Sequence, residues 1–281
     1  MLSLERRRRF SDRLYIVLSS ACFLIALGPL ISILYQTIVS GYAALSLSFF
    51  SEVTPPIGGA GGGILNALEG SFVMIGIASL FGVPLGLLGG AYLAEYPGKL
   101  TYYVRLLAEV LTGVPSIVTG IFVYELLVAT MHRFSALAGG LALGFMMMPI
   151  VAISTNESLK LVSSSIREGA LALGISRSKT LLYILLSTAR GGVVTGVALS
   201  IARVMGETAP LLFTALGSQF LMTSINDPAA SLTVLIYEFG TSPYLNAHVF
   251  AWGAALILLL IVLGLNIVVR TTSRFKVTGT E

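Results

Sequence analysis

Charge is scarce in this chain. Only 11% of its 281 residues are Asp, Glu, Lys or Arg, where a soluble domain carries about 25%. Apolar residues make up 56%, and the mean hydropathy is +0.91. A soluble fold would need a core far too large for this length, so the soluble classes are excluded and the chain reads as an integral membrane protein. Cysteine is nearly absent. Cys22 stands alone in an apolar run, so no internal disulfide can form, and a packed core thiol is expected. Histidine is equally sparse: His132 and His248 are isolated, which excludes a metal site by spacing and leaves two interfacial residues. Positive charge is missing altogether from residues 40–67 and 217–247.

Long apolar runs are what the chain has instead. A spanning helix needs about 20 apolar residues, and six runs qualify: 15–39, 70–94, 106–130, 134–153, 191–216 and 249–269. The first follows E-R-R-R-R and Arg13. It is too long for the apolar part of a signal peptide, and no small-residue cleavage site closes it, so an uncleaved first helix is expected. The arginines read as a topology anchor rather than a nucleic-acid patch. The loop T-P-P-I-G-G-A-G-G-G fails the G-x-G-x-x-G phosphate pattern at Ile64. Gly82, Gly86 and Gly90 recur every four residues around Pro84, and Gly140 and Gly144 form a second pair; such spacing lets helices approach closely in lipid. Pro84 suggests a kink. Glu109 and Glu125 lie near the two ends of the third run, with Pro115 between them. The stretch S-L-T-V-L-I-Y is too short to span, and a surface or re-entrant helix is expected there.

The basic residues orient the six spans. Arg6 to Arg9, Arg13, Lys99, Arg105, Lys160, Arg167, Arg177, Lys179, Arg190, Arg270, Arg274 and Lys276 all fall on one side. Arg133 falls alone on the other, and Arg203 lies within a span. The asymmetry predicts both termini in the cytoplasm. No internal repeat is visible, so an inverted-repeat secondary transporter gains no support.

Two stretches carry chemistry. In S-S-S-I-R-E-G-A-L-A-L-G, Ser164 or Ser165 can cap a short helix, with Glu168 favouring its N-terminal end. Ala170, Leu171, Leu173 and Gly174 give it a small apolar surface that fits a partner's groove. The following G-I-S-R-S-K-T lacks the second glycine of a P-loop, so the chain is not expected to bind ATP itself. Arg203 and Glu207 come next, four apart and so on one face of the fifth helix. A charge at the bilayer centre costs about 2.5–3.5 kcal/mol on insertion scales and is functional by default. Arg203 can hold an anion in a water-filled path, Glu207 limits how tightly, and Thr208 adds a hydroxyl; the alternative is an ion pair that only clamps helices.

These residues carry a resemblance. Glu168-Gly169-Ala170 with Gly174 resembles the EAA loop of ABC-transporter permeases, with Gly169 in place of the usual alanine. The block I-A-R-V-M-G-E-T-A-P-L-L-F, with L-A-E-Y, V-P-S-I-V-T-G and T-S-P-Y, resembles the PstA-type phosphate permeases. The resemblance implies an all-α integral membrane protein of MetI-like type. It has six transmembrane helices, a cytoplasmic coupling helix near 165–183, and a permease domain over 62–270. Residues 1–61 would hold the N-terminus, first helix and external loop, and 271–281 a cytoplasmic tail. It implies no enzymatic activity and no directly bound cofactor, ATP-Mg being used by a partner. The implied partners are a second, homologous permease subunit, two nucleotide-binding subunits, an extracytoplasmic phosphate-binding protein and membrane lipid, without nucleic acid. The implied location is a bacterial or archaeal inner membrane. Arg203, Glu207 and Thr208 become the substrate path, and Arg167, Glu168, Gly169, Ala170 and Gly174 the coupling surface. A permease for sulfate or molybdate, a stand-alone secondary anion carrier and a membrane anchor are the rival readings.

The charge pattern generates a topology prediction. Cysteines placed at Ser51 and Ser231 are expected to react with an impermeant thiol reagent in whole cells. Reaction only after the membrane is opened would reverse the orientation.

Overall fold

A computed structural model describes residues 2–59 and 61–274, with the side chains of 2–7, 9, 10 and 272–274 outside the description. Lys276 and the rest of the expected tail also lie outside the described residues. The described chain is helical throughout, with one isolated β-bridge between Leu216 and Ala229.

Helix α1 is Leu2–Tyr42 and α2 is the short Leu47–Ser51, capped by the Ser46 hydroxyl. Helix α3 is Leu65–Glu95. Helix α4, Lys99–Gly113, and helix α5, Ser116–Met131, meet at a bend of 103°. Helix α6 is Ala136–Lys160, α7 is Ser164–Ala172 and α8 is Arg177–Met205. The last three are α9 (Ala209–Thr214), α10 (Leu232–Gly240) and α11 (Leu245–Arg274). Five helices among the described residues can cross a membrane by length and composition, and six if the bent α4–α5 pair is one span. The chain is therefore a multi-pass membrane protein.

The parallel α3–α6 pair forms the centre, with contacts that advance together from Met74 and Gly140 to Gly90 and Ala152. Lipid offers no hydrophobic gain for helix association, so close backbone approach must supply it. The glycines at intervals of four do this. A Cβ at Gly82 would lie 2.8 Å from the Gly144 carbonyl oxygen, and one at Gly86 would lie 2.6 Å from Val151 Cβ. A Cβ at Gly90 would collide with the Ala152 carbonyl. Both helices run unbroken through Pro84 and Pro149. Met74, Ala78, Leu143, Met147 and Val151 fill the seam, and Val204 of α8 and Val234 of α10 close it. Helix α8 follows α6 in antiparallel register, with Gly196 against Ser154 and Gly192 against Ser158. Helix α1 sits at the edge of the bundle and meets α11, where Gly41 faces Trp252 and Leu256.

One end of the bundle is basic, with Lys99, Arg105, Lys160, Arg167 and Arg177 on or near it. The far end holds the loops around α2 and α10. Asn66 ties them together: its side-chain oxygen accepts from the Thr54 amide (2.9 Å) and hydroxyl (2.8 Å), and its amide donates to the Ser218 carbonyl (2.6 Å). Asp227 fixes the approach to α10 by accepting from the Thr223 hydroxyl at 2.7 Å and the Ser224 amide at 2.8 Å. The Thr223 hydroxyl is the largest cause that holds its carboxyl below the ordinary carboxylate range, with the backbone amides and Arg133 adding to it against partial desolvation.

Several expectations are corrected. The third span does not run straight over 106–130. Pro115 removes a helical donor and favours extended backbone before it, and the chain turns sharply at Val114. Helix α4 then reaches the basic end of α6 through Arg105 and Glu157 (3.9 Å), while α5 packs Val123 and Val128 against Ala138 and Ala142 near its far end. The pair together crosses the bundle. The polar segment expected over 154–190 shrinks to α7 and two turns, because α6 extends to Lys160 and α8 begins at Arg177. Arg190 lies inside α8, not before it. Cys22 is exposed on α1, not packed in a core. The short stretch at 231–237 is re-entrant. The Thr233 hydroxyl donates to the Glu207 carbonyl at 2.9 Å and the Leu232 amide to the Ser71 hydroxyl, so α10 begins inside the bundle and runs outward. Ser231 is its buried cap and therefore a poor labelling site; exposed Ser224 takes its place.

The seam predicts a contrast between two glycines of α3. Gly90→Val is expected to lower the stability of the detergent-purified protein by about 1–3 kcal/mol, the usual cost of overpacking. Gly76→Val, with nothing within 4 Å of the added atom, is expected to change the thermal midpoint little. Equal midpoints for the two would remove the seam as the stabilising contact.

Candidate functional site

The first group lies halfway along the bundle. Gly196 meets Ser154, so seven residues further on the antiparallel α8, Arg203 stands near the level of Met147, in the middle of α6. Arg190, two residues before the Gly192–Ser158 contact, stands level with Lys160 at the basic end. Arg203 is thus the only Lys or Arg that the described helices hold at mid-depth. It is exposed, and it follows exposed Thr195 and Leu199 at intervals of four along one stripe of α8. Among the described residues no carboxylate lies within ion-pair distance of it.

Glu207 is not on that helix face. Helix α8 ends at Met205, Gly206 caps it, and Glu207 sits in the break before α9. The expected i, i+4 geometry fails because Pro210 lacks an amide hydrogen and opens a new helix at its first turn instead of continuing the old one. The Glu207 backbone is held by its amide to Val204 (3.2 Å) and its carbonyl to Thr233. Thr208 caps α9 by position, its carbonyl accepting from Leu211 and Leu212, with no side-chain cap. The break is braced from α5, where a Cβ at Gly120 would lie 2.6 Å from Pro210 Cα. Here the helix end that carries Arg203 runs directly into an interrupted stretch of backbone that carries Glu207 and Thr208, near mid-depth. Irregular backbone survives at membrane depth only where protein buries it or a wet cavity meets it. A roomy cavity lies elsewhere. It holds about 440 Å³ at the far end, beside Ser218, Gln219, Ser231 and Glu238. It has a carboxylate and no cationic lining residue, which makes it a poor seat for an anion.

The second group is α7 at the basic end. Ser163 caps it, one residue before the expected serines, by accepting from the Ser165 amide. Arg167 turns inward, and its Nη2 lies 2.7 Å from Glu95 Oε1 at the end of α3. Glu168 and Gly169 are exposed, and Gly169 has nothing within 4 Å of its Cβ position. Ala170 is 5% exposed, so its side chain seats the helix on its own bundle. The apolar residue that faces outward is Leu173, 82% exposed. Gly174 ends the unit at φ +77°, a left-handed conformation that suits glycine. The sequence reading missed Glu95. Its signal was a lone carboxylate closing a 25-residue uncharged run, opposite a segment rich in arginine.

The chain belongs to the family of binding-protein-dependent transport system inner membrane components, whose family model matches residues 82–275. Within it, the chain is 44% identical to the phosphate transport system permease protein PstA of Yersinia pestis, over 94% of this chain and 90% of that protein. It is 42% identical to the protein of that name from Haemophilus influenzae, over 96% of each. Among solved structures, it matches a chain of a bacterial alginate ABC transporter with a TM-score of 0.67 at 12% identity, over 96% of both chains. It also matches a chain of the MetNI methionine ABC transporter with a TM-score of 0.59 at 19% identity, over 74% of this chain and 92% of that one. The protein is a transport subunit rather than an enzyme.

Gly174 is a poor place to test docking, since any side chain there strains the turn itself. Leu173→Asp leaves the fold untouched and places a charge on the exposed tip. It is expected to lower transport-coupled ATP hydrolysis about tenfold or more, as charged substitutions in apolar interface cores do, while membrane insertion stays normal. Unchanged coupling would reduce α7 to a surface helix.

Proposed function

We propose that this chain is the permease subunit of an ATP-driven inorganic phosphate importer, providing half of the translocation path. What carries the substrate is its likeness, over nearly the whole chain, to permeases named for phosphate transport. The basic end faces the cytoplasm, in keeping with the positive-inside rule. There α7 docks on one of two nucleotide-binding subunits, which take the ATP-Mg. A homologous permease subunit closes the path along the exposed Thr195–Leu199–Arg203 stripe, and an extracytoplasmic binding protein delivers phosphate to the far end.

The position of Arg203 supports this reading. A guanidinium exposed at mid-depth costs about 2.5–3.5 kcal/mol if it faces lipid, so it calls for a wet path or a partner surface. Phosphate carries one to two negative charges near neutral pH, and a planar fork holds two of its oxygens while remaining charged. Glu207, a few residues along in the break, repels the anion and keeps the site from becoming a trap.

Three substitutions test the role, with phosphate uptake measured in vesicles that hold the whole transporter. Arg203→Gln is expected to abolish uptake while the subunit still assembles. Arg203→Lys is expected to keep part of it, because a lysine there holds a point charge that burial can discharge. The double variant Arg203→Gln with Glu207→Gln is expected to stay inactive. Recovered uptake in the double variant would make the two residues a helix clamp and end the anion-path role.

A further inference from the structure

We infer that Glu95 is a positioning residue through which α7 moves the membrane core, by way of its ion pair with Arg167. The inference rests on the reading of the chain as an ATP-driven permease subunit.

The covalent route from α7 is limited. It joins α6 through Leu161–Ser163 and α8 through Leu173–Ser176, the second turn containing Gly174 at φ +77°. Helix α3 is remote in sequence. What reaches it from α7 is the guanidinium of Arg167, 2.7 Å from the Glu95 carboxylate. The Glu95 side chain is 6% exposed and that of Arg167 31%, so salt and water screen the attraction far less than on an open surface. Glu95 is also the last residue of a continuous 31-residue helix. A pull on it is delivered along the α3–α6 seam to Met74 and Leu143, which share one packed cluster with Val204, the neighbour of Arg203.

The pair is not finished as a static support would be. Glu95 Oε1 lies close to Arg167 Nη2 but without hydrogen-bond geometry, and Arg167 Nε and Thr180 Oγ1 are buried with no partner. Buried polar groups in a settled structure are nearly always paired. Beside them is a cavity of about 270 Å³, lined by Glu95, Arg167, Leu171, Arg177 and Thr180. Thr180 opens a π-helical turn, Thr180–Leu185, a distortion frequent at functional sites. Space, unspent donors and an off-axis contact allow Arg167 to shift while the charges stay together.

The test is the ratio of phosphate taken up to ATP hydrolysed, measured in proteoliposomes with the complete transporter. Glu95→Gln and Arg167→Gln are each expected to lower the ratio about tenfold with ATP hydrolysis persisting, and the double variant to be no worse than either, as residues acting as one unit do. A wild-type ratio in the assembled single variants would overturn the inference. So would a double variant that multiplies the two losses, since the residues would then act separately. If Glu95→Gln does not assemble, Glu95→Asp keeps the charge on a shorter arm. An intermediate ratio there supports the link, and a wild-type ratio in Glu95→Asp together with Arg167→Gln overturns it. Absence of ATP-driven phosphate uptake by the wild-type vesicles would instead overturn the substrate reading.

Discussion

Backbone proximity between α3 and α6 is the contact on which the rest of the bundle depends. Water drives no association inside a bilayer, and dispersion between closely spaced helices must replace it. Gly82, Gly86 and Gly90 give α3 a flat face, and the opposing side presents Gly144, Val151 and Ala152. Once these two helices are joined, their far ends fix the loops through Asn66, Ser71 and the Ser135 cap. Their basic ends present Ala91 and Leu159, against which α8 lays Leu185 and Ala189.

The breaks follow a common logic. Two spans are interrupted, one at Val114–Pro115 and one at Gly206–Thr208 before Pro210. Each interruption frees backbone groups that hydrocarbon cannot satisfy. The fold meets this by packing the segment after one break onto the segment after the other, with α5 against α9 through Gly120 and Pro210. The re-entrant start of α10 then supplies the Thr233 hydroxyl to the Glu207 carbonyl. Three irregular pieces thus shield one another at the depth of Arg203. A charge at mid-depth and an interrupted ladder are both costly in a membrane, and concentrating them confines that cost to one place.

The fold class was legible because hydropathy at a span length of about 20 residues is a strong signal. The glycine seam was legible as well, since spacing by four has one geometric meaning on a helix. The break at Pro210 was legible from its missing amide hydrogen, and what failed was the interruption of the third span. An apolar run that contains proline reads the same whether the helix passes through it, as at Pro84 and Pro149, or turns by 103°, as at Pro115. The distinction lies in whether a neighbouring helix fills the gap, which is tertiary information. Arg203 and Glu207 misled for the same reason: a spacing of four places two residues on one face only while the helix lasts. Ala170 and Leu173 show the converse. Both are small or apolar residues on a helix of nine residues or at its end, and only the position of α3 and α8 beneath it decides which faces inward. Glu95 was visible as a lone carboxylate, but its pairing was not, because its partner lies seventy-two residues away.

Two arms leave α7 and meet again. One runs through Gly174 and the π-helical turn into α8, whose 29 residues extend about 1.5 Å each and carry Arg203 near their far end. The other crosses from Arg167 to Glu95 and runs the length of α3. They converge on the cluster that holds Met74, Leu143 and Val204. A displacement that travelled along α8 alone would slide Arg203 past a stationary seam and shear that cluster, which close packing resists. A displacement shared by both arms moves the cluster as a body and carries the break at Gly206–Thr208 with it. The geometry therefore favours motion of the arginine together with its surroundings over motion of the arginine through them, and it makes the side-chain link at the base of α3 as much a part of that motion as the covalent one.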